Sequence, residues 1–121
     1  MNPLLPVMLG GAIGAGLRFS IGRLLAGGFP WGTLAVNLIG GFAMGILAAL
    51  VLRGAASETV RLFVGVGILG GFTTFSAFSL ESWQMIERGQ FGLAGGYALA
   101  SVVGSILMLG LGMMITRGAV S

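Results

Sequence analysis

The segment GGFTTFSAFS, residues 70–79, places four hydroxyl side chains and three phenylalanines inside an apolar stretch. One aromatic set and one hydroxyl set each recur every third residue, offset by one position. They are Phe72, Phe75 and Phe78, and Thr73, Ser76 and Ser79. Residues three apart are neighbours on one face of a helix. The pattern therefore predicts an aromatic stripe beside a hydroxyl stripe. Ordinary packing and hydroxyls bonded to their own helix are the simpler alternatives.

Other apolar stretches carry polar groups at helical spacing. Thr33 and Asn37 are four residues apart, and Tyr97, Ser101 and Ser105 follow one another in four-residue steps. Hydroxyls, the amide NH₂ and the ring edges of Phe all present positive charge to a partner. A line of such groups without fixed positive charge suits a small anion that must also be released. Interhelical hydrogen bonding is the alternative for each residue alone.

The composition indicates that the chain belongs in a lipid bilayer. Of its 121 residues 56% are hydrophobic and 7% are charged, against about 25% charged in soluble domains. Without Cys or His there is no disulfide framework, zinc site or histidine base, and no nucleophile–base pair is available, so we do not expect an enzyme. The six basic residues are scattered, so we expect no nucleic acid partner.

Four apolar stretches are each long enough to cross a bilayer, at residues 4–25, 33–52, 60–86 and 91–115. GGFPWG, residues 27–32, has the composition of a turn, and ERGQ, residues 87–90, is a short polar loop. The predicted fold is a single all-α membrane domain covering residues 1–121. The N-terminus lacks the basic region of a secretory signal, so it is interpreted as the start of the first span, in a bacterial cytoplasmic (inner) membrane.

The third span is expected to be broken near its middle. Gly70 lies about 15 Å along a helix that starts at Val60, which is close to the bilayer centre. Two glycines followed by two threonines favour an interruption there. Irregular backbone at this depth must be buried in protein or line a cavity, and its carbonyls can hold a small hard cation such as sodium. A continuous glycine-rich helix is the alternative.

The arginines do not favour one orientation in the membrane. Three go with the first and third connections and three with the second connection and the C-terminus: Arg18, Arg23 and Arg88, against Arg53, Arg61 and Arg117. Orientation normally follows an excess of such residues on one side. The balance predicts dual topology and an antiparallel homodimer, although a deeply placed Arg18 would leave a weak bias. Four GxxxG pairs favour close helix packing: Gly10/Gly14, Gly41/Gly45, Gly67/Gly71 and Gly92/Gly96.

The segment GGFTTFSAFSLES resembles the signature of the CrcB/Fluc fluoride channels. The likeness extends to GAGLRF at residues 14–19, to GTLAVN at residues 32–37 and to Tyr97 with Ser101 and Ser105. It covers all four spans. The resemblance implies a dual-topology dimer with two antiparallel pores that export fluoride passively and selectively, with a structural sodium ion at the dimer centre.

The resemblance also implies roles for individual residues. Phe75 and Phe78 match phenylalanines whose ring edges face fluoride, and Asn37 matches the pore asparagine. The backbone carbonyls of Gly70 and Thr73 match the sodium site. The further positions along the ion path are Thr33, Ser76, Ser79, Tyr97, Ser101, Ser105, Arg18 and Glu81. Arg18 matches a vestibule arginine, and extension of its side chain to the bilayer surface is the alternative. Glu81 matches a family carboxylate, and capping of a helix is its alternative. Ala77 stands where the family often has Thr.

Two other classes of membrane protein remain as alternatives. A small multidrug-resistance exporter also has four spans and dual topology, but it depends on a Glu in the first span, and residues 4–25 contain no acid. A structural or holin-like protein would only oligomerise, and it would not need Asn37 or aligned Phe and hydroxyl stripes. The match of GVGILG, residues 65–70, to a dinucleotide-binding motif lacks the strand that such a motif requires.

Overall fold

A computed structural model describes the backbone of residues 2–120 and the side chains as far as Gly118. Four helical segments in it are long and apolar enough to cross a membrane, as predicted. Helix α1 is Leu4–Leu24 and α2 is Trp31–Leu52. Residues 58–72 form α3, in which Glu58–Val60 and Gly70–Phe72 are α-helical and Arg61–Leu69 is a π-helix. Helix α4 is Phe75–Glu87 and α5 is Phe91–Val120.

Glycines bring the helices together in two parallel pairs. A Cβ on Gly10 would collide with the Phe63 carbonyl oxygen, and one on Gly14 would lie 2.8 Å from the amide nitrogen of Phe72, so α1 and α3 touch backbone to backbone. Gly41 and Gly45 meet the backbone of α5 in the same way. Gly67 and Gly71 meet the backbone of α1 likewise. Three of the four GxxxG pairs therefore mediate close packing, as small residues do in lipid. Gly92 and Gly96 have open space around them, which the repeat did not predict.

The helix boundaries differ from the prediction mainly at the starts of α2 and α3. Trp31 and Gly32, which were predicted to be in a turn, are already helical, and Pro30 directly precedes them. A Cβ on Gly32 would lie 2.8 Å from the Cα of Gly22, so the start of α2 packs closely on α1. Helix α3 begins at Glu58, capped by Ser57 Oγ, which accepts from the Val60 N–H at 3.1 Å. Helix α5 extends five residues beyond the predicted end, to Val120.

The third span is interrupted at Thr73 and Thr74, which are both extended (φ −87°, ψ 157° and φ −150°, ψ 123°). The predicted break is confirmed, but it follows the two glycines instead of including them. Gly71 stays helical because its missing side chain admits α1: a Cβ there would lie 2.6 Å from the Gly11 carbonyl oxygen. Gly71 therefore serves packing against α1, and the threonines form the break.

Candidate functional site

Asn37 on α2 holds the interrupted backbone with both ends of its side-chain amide. Its Oδ1 accepts from the Thr74 N–H at 2.8 Å, and its Nδ2 donates to the Thr74 carbonyl at 3.1 Å. Buried backbone groups without partners are costly, and in a bilayer no water replaces them. One amide side chain therefore satisfies both backbone groups of Thr74. An amide NH₂ has two donors, so a second N–H of Asn37 remains for another partner.

The four carbonyls of residues 70–73 lose the donors that a continuous α-helix would supply, because the backbone is extended at Thr73 and Thr74. In such a helix the Gly70 carbonyl would accept from the Thr74 N–H, but that N–H donates to Asn37. The Thr73 carbonyl would accept from the Ala77 N–H, but that N–H donates to Thr74 Oγ1 at 3.2 Å, the cap of α4. The family resemblance implies that the carbonyls of Gly70 and Thr73 are the ones that hold a sodium ion. Among the described residues no His, Cys, Asp and Glu cluster could hold a metal instead.

Arg18 reaches from α1 to the neighbouring carbonyl of the break. Its Nε donates to the Gly71 carbonyl at 3.0 Å. The predicted vestibule arginine thus contacts the end of α3 directly. The terminal guanidinium group also borders a cavity of about 300 Å³, together with Arg23, Thr33 and Thr74.

The hydroxyl stripe of the broken helix turns mostly toward its own backbone. Ser79 Oγ donates to the Phe75 carbonyl at 3.0 Å, and Thr73 Oγ1 donates to the Leu69 carbonyl at 3.0 Å. Ser76 Oγ lies 3.3 Å from Thr74 Oγ1. Ser76 and Ser79 are exposed on a single chain and do not border the cavity that contains Asn37.

Glu81 joins three helices near one end of the bundle. Its Oε2 accepts from Thr33 Oγ1 on α2 at 2.9 Å, and its Oε1 accepts from the Tyr97 hydroxyl on α5 at 2.9 Å. A cavity of about 290 Å³ beside this group also contacts Gln84 and Arg88. Glu81 is therefore neither a helix cap nor an isolated charge, and its two oxygens organise donors from neighbouring helices.

Aromatic rings form a continuous row from the first connection to the break. Phe29 meets Tyr97 edge-on at 5.3 Å between ring centroids, Tyr97 meets Phe78 at 5.2 Å, and Phe78 meets Phe75 at 5.6 Å. Tyr97 is buried in the core, whereas Phe75 is 76% exposed. The last ring of the row thus projects from the surface of a single chain.

Some of the predicted site residues meet in one cavity beside the break, of about 360 Å³, whereas Thr33, Tyr97, Arg18 and Glu81, like Ser76 and Ser79, do not line it. Ser101 lines it, is itself 6% exposed, and its Oγ has no hydrogen-bond partner among the described residues. No charged side chain of the described chain contributes to the wall. The predicted site residues that line it are Asn37, Gly70, Thr73, Phe75, Phe78, Ser101 and Ser105.

Sequence reasoning missed two residues that organise this region. Thr74 caps α4 and exchanges two backbone hydrogen bonds with Asn37. A threonine immediately before a helical segment is a recognisable cap signal, so the sequence did carry that information. Phe29 supports Tyr97 from a connection between helices, and no local pattern indicates such a contact.

Comparison with known proteins gives a consistent result over the whole chain. The family model described as CrcB-like protein, camphor resistance, matches residues 5–113. Proteins named fluoride-specific ion channel FluC are similar to this chain. The one from Sphingopyxis alaskensis is 56% identical, over 97% of both chains. The one from Novosphingobium aromaticivorans is 52% identical, over 93% of this chain and 94% of its own. The one from Mesorhizobium japonicum is 52% identical, over 97% and 98%.

Proposed function

This chain belongs to the CrcB family, and we propose that it is a fluoride-specific ion channel that lets fluoride leave a bacterial cell passively across the cytoplasmic membrane. The names of its relatives, fluoride-specific ion channels, support fluoride as the transported ion. The observation that carries the proposal is the cavity beside the break. Its wall includes an asparagine, two threonines, two serines and two phenylalanines, and no charged side chain among the described residues.

The anion path follows from the donors that remain unused. Asn37 retains one amide N–H beyond its bond to Thr74, and the buried Ser101 hydroxyl has no partner among the described residues. Ring edges of Phe75 and Phe78 add weak positive potential. The N-terminus of α4 begins at the break, and its dipole favours negative charge there. Several weak contacts allow an anion to enter and also to leave.

A structural sodium ion at the break is part of the proposal. The freed carbonyls of Gly70 and Thr73 support it, because hard cations prefer oxygen ligands and carbonyls without donors need a partner in lipid. The ion would balance the partial negative charge of these carbonyl oxygens, and it would not be transported. Fluoride flux should therefore fall when sodium is replaced by a large organic cation throughout purification and reconstitution, and undiminished flux would remove the ion from the account.

We further propose that two copies assemble as an antiparallel homodimer. Phe75, at the end of the aromatic row, is 76% exposed in one chain, so its ring needs a second copy or lipid to cover it. Phe75 also lines the cavity beside the break. Equal numbers of arginines at the two ends of the bundle support insertion in both orientations.

The aromatic contribution can be tested by comparing three single substitutions in liposomes. Phe75→Ile and Phe78→Ile retain apolar volume but remove the ring edges, so we expect at least a tenfold loss of fluoride efflux, equivalent to about 1.4 kcal/mol or more in the barrier. Phe91→Ile is the control, because Phe91 is exposed at the start of α5, away from the cavity. Wild-type efflux in both test variants, confirmed as folded dimers, would rule out the ring edges.

A further inference from the structure

Of the four carbonyls of residues 70–73, at the end of α3, three can be compared by their partners. The Gly70 and Thr73 carbonyls lose their helical donors to Asn37 and to Thr74 Oγ1. The Gly71 carbonyl between them in sequence accepts from Arg18 Nε at 3.0 Å. One carbonyl of the break is thus occupied by a charged side chain from another helix, while the other two are not.

Arg18 lies well inside the first membrane span, away from the end of α1. It is six residues before the end of α1, about 9 Å from that end at the rise of an α-helix. A charged side chain at such depth needs a partner within the protein. Arg18 is half-buried and forms no ion pair with a carboxylate in the part of the chain that the structure describes. Its bond to Gly71 is therefore the contact that accounts for its position.

The chemistry of this contact suits a fixed attachment. Hydrogen bonds from a charged donor are stronger than neutral ones, and a cation at a helix C-terminus complements the helix dipole. The donor is Nε, which is part of the planar guanidinium group, so the bond also orients that plane. A guanidinium that merely extended to the bilayer surface would not need to donate Nε to a backbone group 53 residues away.

We infer that Arg18 is a positioning residue of the interrupted helix: it holds the Gly71 carbonyl and so leaves the carbonyls of Gly70 and Thr73 as the pair directed to a cation. The part concerning the cation rests on the sodium site proposed above. The attachment of α1 to the break does not depend on it. Without Arg18, the Gly71 carbonyl is released, the end of α3 loosens, and a further carbonyl competes for the same ion.

Hydrogen–deuterium exchange of the full-length protein, followed in the peptide covering residues 70–79, tests the attachment without measuring transport. We expect Arg18→Met to raise amide exchange there at least tenfold. Arg18→Gln retains N–H donors without charge, so it should restore part of the protection. Arg23→Met is the matched control, since Arg23 is exposed on the same helix and stacks on Phe19. It should exchange like the wild type. If Arg18→Met does not fold, amide exchange in Arg18→Gln and Arg18→Lys is compared with that in the wild type and in Arg23→Met instead.

Equal exchange in Arg18→Met and the wild type would overturn the inference, as would equal loosening by Arg23→Met. The same experiment with sodium chloride or N-methylglucamine chloride addresses the cation. Sodium should protect the wild-type segment, and Arg18→Met should need at least a fivefold higher sodium concentration for half of that protection. Wild-type exchange that ignores sodium would overturn the cation part alone, and the comparison of variants would still decide the attachment. A folded protein that shows no fluoride efflux would contradict the proposed channel function, but it would not contradict the attachment of α1 to the break.

Discussion

At the scale of single residues, the polar side chains divide between those that hold the backbone and those that remain free. Asn37, Thr74 and Arg18 are engaged with the break. Thr33 and Tyr97 are engaged with Glu81. The hydroxyls of Ser82 and Ser101 are both buried without a partner among the described residues, and of the two Ser101 lines the cavity beside the break. A buried donor without a partner is costly, which is consistent with a group reserved for a ligand.

The substitution Ser101→Ala distinguishes a hydroxyl that stabilises the fold from one that binds the anion. Since no protein hydrogen bond is lost, the stability of the folded protein should be unchanged or slightly higher, whereas fluoride efflux should fall roughly tenfold, or about 1.4 kcal/mol in the barrier. Detergent unfolding curves and liposome efflux measure the two effects. Ser20→Ala is the control, because Ser20 is exposed and bonds its own helix at the Gly16 carbonyl. Unchanged efflux in Ser101→Ala would remove that hydroxyl from the path.

At the scale of elements, the break depends on contacts that are remote in sequence. Local composition was sufficient to predict an interruption, because glycines and threonines both disfavour a continuous helix. It could not locate the interruption at Thr73 and Thr74, because that position is set by Asn37, 37 residues away, and by the packing of Gly71 against α1. The π-helical stretch of α3 was also not predicted, since the apolar character of residues 61–69 does not distinguish it from an α-helix.

Packing of α1 against α3 can be tested with two glycines of the same helix. Gly14→Ala would place a Cβ against the backbone of Ile68 and 2.8 Å from the amide nitrogen of Phe72, so it should destabilise the fold by roughly 1–3 kcal/mol. Gly16→Ala has open space and should be neutral or stabilising by up to about 1 kcal/mol through helix propensity. Unfolding free energies in mixed detergent measure both. Equal effects of the two substitutions would contradict this packing.

Residues of the candidate site could be predicted from the sequence more completely than their hydrogen-bond partners on other helices. Asn37, Ser101 and Ser105 were selected by residue type and helical spacing, and they do border one cavity. Glu81 was recognised only as a carboxylate at a family position. Its two donors lie on α2 and α5, which helical periodicity cannot relate to each other. Ser76 and Ser79 fitted the stripe equally well but do not border the cavity of a single chain.

At the scale of the whole molecule, the single chain leaves its aromatic row and its cavity open at the surface. The proposed antiparallel dimer would cover both, and it requires that the chain insert in both orientations. Arginines at the two ends of the bundle are equal in number, so the usual determinant of orientation is balanced.

Dual topology can be measured with single cysteines, because the natural chain contains none. Ala26→Cys lies in the first connection and Ala55→Cys in the second, and both positions are exposed. An impermeant maleimide applied to intact spheroplasts should label about half of the copies at each position, since balanced arginines give both orientations. Complete labelling at one position with full protection at the other would show a single orientation and would exclude the antiparallel homodimer.

The most direct measurement is efflux of fluoride and of chloride from liposomes that contain the purified wild-type protein, each followed with its ion-selective electrode. An uncharged cavity of donors and ring edges predicts rapid fluoride efflux, with chloride efflux at the level of protein-free liposomes. Folded protein that releases neither ion above that level, or releases both at similar rates, would contradict a fluoride-specific channel.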